Sequence, residues 1–201
     1  MSKSNTRIIV IDDLPQKIHP IIFNLERYYK EVISITSTHE GVEYVKAHIH
    51  EKNIVILDYL FSSNEPTGLW VLQQIREVSK LIPVILLTEN KDKIEQEKYP
   101  ELINLHIAGF ADKSNYLDVI EKVQEAEKEL NTGIDTVLED WINKQDEEDK
   151  AQDILIPLNG KSYTLNDIVK AIRAREPIGL EFEKTMQEYV LELIVHDAKT
   201  K

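Results

Sequence analysis

The sequence predicts an α/β fold for its first 130 residues: a five-stranded parallel sheet with helices over both faces. Three observations point there. Five short apolar runs recur along the chain: RIIVI (7–11), VISI (32–35), NIVIL (53–57), PVILL (83–87) and the weaker HIAGFA (106–111). They are continuous rather than alternating and rich in β-branched side chains, the pattern of strands buried on both faces. Between them lie segments with apolar residues at helical spacing, and a regular strand–helix alternation favours parallel pairing through helical crossovers.

Taken in order, the first strand ends at Asp12 and Asp13 and is followed by a helical pattern over 15–30, with Ile18, Ile21, Ile22, Leu25 and Tyr28 or Tyr29 at helical spacing. Pro15 suits its first turn, where a missing N–H costs nothing. After the second strand, Thr38 can cap a helix that carries Val42, Val45 and Ile49. The third strand ends at Asp58, an acid that closes an otherwise apolar block. An ionised carboxylate buried without a partner costs several kcal/mol, roughly, so Asp58 needs either water or charged company. GLWVLQQIREV then places Leu69, Leu72, Ile75 and Val78 on one helical face, the fourth strand ends at Thr88, a polar helix is expected around 91–98, the fifth strand is followed by Lys113, and a last helix begins near Asn115.

Composition excludes several classes. The chain of 201 residues has no cysteine, which rules out a disulfide framework and a thiolate metal site and suits a reducing, cytoplasmic setting. The run before the first pair of acids has five apolar residues at most, too short for a secretory signal or a membrane span. Lys and Arg total 24 against 36 Asp and Glu, a formal net charge of -12 that opposes nucleic-acid binding. Residues 131–201 hold 9 basic and 15 acidic side chains, leaving 15 and 21 for residues 1–130, so no basic domain hides in the average.

In open parallel sheets, ligands gather beyond the carboxyl ends of the strands. Those ends carry Asp12, Asp13, Asp58, Thr88 and Lys113: three carboxylates, a hydroxyl and an ammonium on one rim. Three acids held close raise one another's pKa unless a cation intervenes, and hard oxygen donors of this kind suit Mg2+. An ionised Asp58 is then placed to attack phosphorus, with Lys113 and Thr88 ligating the incoming phosphoryl oxygens.

Five segments, IIVIDD, VILDY, TGLWVLQQIR, VILLT and GFADKS, in this order and at these strand ends, resemble the receiver domain of two-component response regulators over about residues 6–130. The resemblance implies a flavodoxin-like fold with strand order 2-1-3-4-5. It makes Asp58 the phosphoacceptor, served by a histidine kinase or phosphotransfer protein. It assigns Mg2+ to Asp13, Asp58 and the backbone carbonyl of Leu60, with Asp12 assisting through water. Thr88 and Lys113 would sense the phosphoryl group, and Phe110 would be the aromatic whose rotamer reports activation. Three positions depart from the pattern: Glu89 follows Thr88 where a small residue is usual, DYLFSSNEPTG is longer than usual by about one or two residues, and Ser114 stands for a frequent proline. Glu89 motivates a second expectation, a scaffold that keeps the receiver shape and switches by partner binding alone.

Competing readings are weaker. A phosphatase of the haloacid-dehalogenase type places a second acid two residues after its nucleophile, whereas here Asp12 and Asp13 are adjacent and Leu14 and Pro15 follow. No glycine-rich turn follows the first strand, which argues against dinucleotide binding. His48 and His50 sit two apart, on different faces of a helix, and read as surface residues, while Trp70 reads as packing.

Beyond the receiver-like segment, residues 131–150 read as a helical linker and 151–201 as a small hairpin-plus-two-helices module for interaction or dimerisation. Ile120, Val123, Leu130, Ile134, Val137 and Trp141, with Glu127 in the gap, are spaced as a heptad seam, the basis for expecting a helix continuous over 115–143 and a homodimer. The other reading is two helices broken at NTG (131–133). Asn159-Gly160 between ILIPL and KSYTL signals a two-residue hairpin. Thr164 with Asp167 three residues on predicts a capped helix over 165–175, and a second helix over 179–196 carries Phe182, Met186, Tyr189 and Leu193 on one stripe. GLEFEKTMQEY holds three acids and one lysine, unsuited to a DNA-recognition helix. No enzymatic output motif is present, so the expectation is a phosphorylated switch with a protein target, rather than an enzyme or a transcription factor.

Overall fold

The computed structural model describes residues 3–49, 51–62, 64–89, 99–155 and 161–199. The chain divides into two units, Met1–Asn131 and Thr132–Lys201.

In the first unit the elements run β1 (Ser4–Ile11), α1 (Pro15–Leu25), β2 (Tyr29–Ile35), α2 (Thr38–Ala47), β3 (Asn53–Asp58), α3 (Gly68–Val78), β4 (Val84–Thr88), α4 (Tyr99–Asn104), β5 (Gly109–Asp112) and α5 (Tyr116–Thr132). The strands form one parallel sheet in the order β2-β1-β3-β4-β5. Strand periodicity sorts the core into two layers. Ile8, Val10, Ile54, Ile56, Ile85 and Leu87 pack on one face with Ile18, Ile21 and Leu25 of α1 and Val119, Val123 and Ala126 of α5. The alternate residues Ile9, Ile11, Val55, Leu57, Val84 and Leu86 pack on the other with Val42 and Val45 of α2 and Val71, Leu72 and Ile75 of α3. Because both faces are covered, the central strands are apolar throughout, which is why they stood out in the sequence. The order reverses between β1 and β3, so their carboxyl ends open a crevice.

Boundaries differ from the sequence reading at the ends of α1 and α2, and one expected helix falls outside the described residues. Helix α1 stops at Leu25, and Tyr29 begins β2 instead of continuing the helix, paired with Ser4. Its ring is buried, and its hydroxyl reaches Glu127. The helix expected around 91–98 lies outside the described residues, and α4 begins at Tyr99. Helix α2 starts at Thr38, but its cap comes from elsewhere in the chain, as described below. Among the anchors, Arg76 at the end of α3 is buried and donates to the carbonyls of Leu105, Ser79, Ile82 and His106, stapling the approaches to β4 and β5. Burial lowers its pKa to about 10.

The heptad positions of α5 are consumed inside the first unit. Ile120, Val123 and Leu130 are buried in the sheet's core. Glu127 accepts from the Ser4 hydroxyl at 2.5 Å, the Thr6 hydroxyl at 2.7 Å and the Tyr29 hydroxyl at 3.1 Å. The helix continuous over 115–143 is not formed. Gly133 adopts an extended conformation (φ -67°, ψ 129°) as the N-cap of α6 (Ile134–Asn143), so the chain breaks at NTG.

The second unit continues with α7 (Glu147–Ala151), β6 (Asp153–Leu155), β7 (Ser162–Thr164), α8 (Leu165–Arg173) and α9 (Pro177–Lys199). The stretch read as a linker, 131–150, therefore holds α6 and α7, and both pack against α8. On α6, among the described side chains, Leu138 and Ile142 are buried, while the seam positions Val137 and Trp141 are exposed. Strands β6 and β7 pair antiparallel, with the Asn159-Gly160 turn outside the described residues. Thr164 and Asp167 form the capping box, and Leu165, Ile168, Val169 and Ile172 make the buried face of α8. Arg173 Nε meets Glu139 Oε1 at 2.6 Å, tying α8 to α6. Gly179 brings α9 so close to α8 that a Cβ there would lie 2.5 Å from the Ala171 carbonyl carbon. Phe182 and Met186 are half-buried and Tyr189 is exposed, while the side chain of Leu193 lies outside the described residues. Among the described residues, no helix is long and apolar enough to cross a membrane.

Candidate functional site

The rim of the first sheet brings together the acids of two strands and the ammonium that follows a third. Asp12 follows β1, Asp58 closes β3, Thr88 closes β4, and Lys113 follows β5, where its backbone N–H donates to the Thr88 carbonyl at 3.0 Å. All four are buried, and Asp13 is half-buried beside them. Lys113 Nζ lies 2.5 Å from Asp12 Oδ2 and 2.8 Å from Asp58 Oδ2. The remaining oxygens are held by backbone donors: Asp12 Oδ1 accepts from Leu14 N–H at 2.8 Å, and Asp58 Oδ1 from Leu60 N–H at 3.3 Å. Gly68 sits against the end of β3, since a Cβ there would fall 2.1 Å from the Asp58 carbonyl oxygen. Only glycine permits α3 to start this close.

The electrostatics follow from the pairing. Burial works against the Lys113 ammonium, but its hydrogen bonds and Coulomb attraction to Asp12 and Asp58 outweigh it, and its pKa is raised. Burial pushes Asp12 up above the ordinary carboxylate value, with the charge of Asp58 adding to it and Lys113 opposing it. One ammonium faces three carboxylates. A buried cluster with surplus negative charge is a standing cost unless a further cation joins it.

The donor set fits such a cation. Asp12, Asp13 and Asp58 each offer a carboxylate oxygen within 4.8 Å of the others. Asp13 Oδ2 is taken up by the Ser62 N–H at 2.8 Å, while its buried Oδ1 has no hydrogen-bond partner among the described residues. An oxygen of this kind is what a hard divalent ion of the Mg2+ type satisfies. Next to the acids opens a pocket of about 150 Å³ lined by Leu14, Asp58, Leu60, Thr88, Glu89 and Lys113 among others.

Each residue singled out in the sequence thus has a place. Asp12, Asp13, Asp58 and Lys113 form one cluster, and Thr88 borders the same pocket. Leu60 is exposed at the pocket edge, its N–H on Asp58. Phe110 lies beside Leu86 in the sheet and packs half-buried against the core layer of Ile9 and Val55. Glu89 stands exposed on the pocket wall. Ser114, in the position of the usual proline, donates from its N–H and hydroxyl to Asp112 Oδ1 and closes the turn by hydrogen bonding instead. Two contributors were missed. The Leu14 N–H bonds Asp12 two residues back, an Asx-type turn that the Asp-x-x-Pro spacing could have indicated. The Ser62 N–H acts from 49 residues away as a backbone donor, so residue type gave no signal.

Comparisons with known proteins agree with this layout. No protein-family model matches the chain. The alkaline phosphatase synthesis transcriptional regulatory protein PhoP of Bacillus subtilis is 25% identical over 92 residues, which cover 46% of this chain and 37% of that protein. The matched stretch thus spans little more than a third of the relative's length. A response regulator receiver domain protein from Clostridium thermocellum has a similar structure, with TM-score 0.54, 23% identity, and coverage of 63% of this chain and 99% of that one. So does the N-terminal domain of a response regulator/sensory box/GGDEF 3-domain protein from Carboxydothermus hydrogenoformans, with TM-score 0.54, 21% identity, and coverage of 64% and 100%. The first unit has the fold of response regulator receiver domains and resembles one such regulator in sequence.

Proposed function

We propose that the chain is a two-component response regulator in which Asp58 accepts a phosphoryl group from the phosphohistidine of a histidine kinase or phosphotransfer protein. The observation that carries the reading is the Lys113 ammonium held between Asp12 and Asp58, at 2.5 and 2.8 Å, on the wall of a pocket open to a donor. An Asp58 oxygen attacks phosphorus, the donor's P–N bond breaks, the imidazole leaves, and an acyl phosphate forms on Asp58. Asp12, Asp13, Asp58 and the Leu60 carbonyl are the groups to hold Mg2+, which when bound would offset the charge of the carboxylates and the phosphoryl oxygens. Lys113 supplies its ammonium to one phosphoryl oxygen and Thr88 its hydroxyl to another. Later attack by water returns the free carboxylate and releases phosphate, and no separate enzymatic activity is assigned.

Phosphorylation places roughly 1.5 to 2 negative charges on Asp58. Thr88 and Lys113 follow the new charge, and Phe110, half-buried beside β4, changes its seating to report it. The second unit is the output, acting by contact with a protein partner or with a second copy of the chain in the cytoplasm. The test of phosphorylation is incubation with acetyl phosphate and Mg2+ followed by intact mass. A single phosphoryl adduct, absent without Mg2+ and absent in Asp58→Asn, supports the reading, whereas equal labelling of wild type and variant defeats it. For the homodimer, light scattering with and without beryllofluoride decides: a doubled mass supports pairing, and a single-chain mass in both removes it.

One observation favours a second reading. Glu89 adds an exposed acid to the pocket wall, where it repels an incoming phosphoryl group. A scaffold that switches by partner binding alone would bind Mg2+ yet take no label.

A further inference from the structure

The loop that leaves the phosphoacceptor is braced at its base and at its tip. At the base, Gly68 N–H donates to the Tyr59 carbonyl at 3.2 Å, and Tyr59 N–H to the Leu87 carbonyl at 3.2 Å. At the tip, Glu65 N–H donates to the Ser62 carbonyl at 3.0 Å, so these two residues belong to one closed turn. The two ends of that turn hold different parts of the domain. Ser62 N–H is on Asp13 Oδ2 at 2.8 Å. Glu65 Oε2 accepts both the Thr38 N–H at 2.9 Å and the Thr38 hydroxyl at 2.5 Å.

Helix α2 lacks the usual local cap: its N-cap Ser37 makes no capping hydrogen bond to the first turn of the helix. The carboxylate of Glu65, arriving from 27 residues away, satisfies an orphan N–H instead and sits at the positive end of the helix dipole. Thr38 is fully buried, so this contact has a fixed address. The Glu65 carboxyl is held below its ordinary value by those same hydrogen bonds, so at neutral pH it is charged and engaged.

We propose that Glu65 is a positioning residue for the cation site: by capping α2 it fixes the turn that keeps the Ser62 amide on Asp13. With Oδ2 committed to that amide, the Asp13 carboxylate cannot rotate freely, and its buried Oδ1, which has no hydrogen-bond partner among the described residues, is left for the cation beside Asp12 and Asp58. Outer partners of a ligating carboxylate act on metal affinity in this way, and their loss typically weakens it by about 10- to 100-fold. Glu65 acts one link further out, and the expected loss is about ten-fold, the low end of that range. The assignment rests on Asp13 being a ligand, as in the reading above.

The experiment is calorimetric titration of the full chain with MgCl2 and no phosphodonor, joined to hydrogen exchange at the Ser62 amide. Glu65→Ala should weaken Mg2+ and deprotect Ser62, while Glu65→Gln, whose amide oxygen still accepts from Thr38, should recover most of the affinity. In an Asp13→Asn background, Glu65→Ala should change the residual affinity no further, a result that simple destabilisation of α2 does not produce. Wild-type affinity in Glu65→Ala with weakened binding in Asp13→Asn overturns the positioning role and leaves the cation site standing. Unchanged binding in Asp13→Asn overturns the cation site itself.

Discussion

The two ends of the receiver sheet each draw a carboxylate in from solvent, half-buried at one end and buried at the other, and they treat it oppositely. At the amino end of the strands, Glu127 meets three neutral hydroxyls, from Ser4, Thr6 and Tyr29, and both its oxygens are occupied. Burial, with the Glu127 charge, raises the Tyr29 phenol well above its ordinary value, so the donors there stay protonated. At the carboxyl end, Asp12 and Asp58 share the Lys113 ammonium with Asp13 beside them, and among the described residues Asp13 Oδ1 has no hydrogen-bond partner. A satisfied acid ties elements together; an acid in surplus, beside a pocket, is poised for a ligand. Residue type alone does not tell the two apart, but the accounting of partners does.

The sharpest break in this comparison is Asp58→Asn against Glu127→Gln. The first should abolish the phosphoryl adduct, and the second should leave labelling at the wild-type level, both read by intact mass with acetyl phosphate. Next in size is Lys113→Met, which leaves the rim acids facing one another without their ammonium. Chemical denaturation should show a loss of about 3–5 kcal/mol, partly recovered by added Mg2+. Glu127→Ala removes the acceptor of three hydroxyls and should cost about 1–3 kcal/mol with no change in Mg2+ affinity.

The smallest effect concerns pH. Because the folded pKa of Glu65 lies below its ordinary value of 4.5, its contribution is present above that pH and is lost as pH falls through the folded value. The protection factor of the Thr38 amide, with the intrinsic pH dependence of exchange divided out, should therefore fall in that acid window in wild type and stay flat with pH in Glu65→Gln.

Strand positions in this domain were readable because burial on both faces leaves no room for polar alternation, as in Ile54 to Leu57. The rim acids were readable for the converse reason: Asp12, Asp13 and Asp58 end apolar runs where a carboxylate has no packing role. What stayed hidden depends on contacts across the chain. Glu127 sits at a heptad position, and nothing local shows that Ser4, Thr6 and Tyr29 converge on it, so the first half of the seam read as a dimer contact although Ile120, Val123 and Leu130 face the domain's own core. Gly133 could be weighed as a mild helix defect of about 1 kcal/mol or as a break, and the extended backbone there decides for the break. In the second unit the Thr164–Asp167 capping box was legible since both partners lie within one turn.

The central claim is that Asp58, and not another rim acid, takes the phosphoryl group. Borohydride trapping after acetyl phosphate treatment, followed by peptide mass spectrometry, assigns the acyl phosphate to one residue. Reduction to homoserine at position 58 alone is the predicted result, and a trapped product at Asp12 or Asp13, with Asp58 untouched, would contradict it.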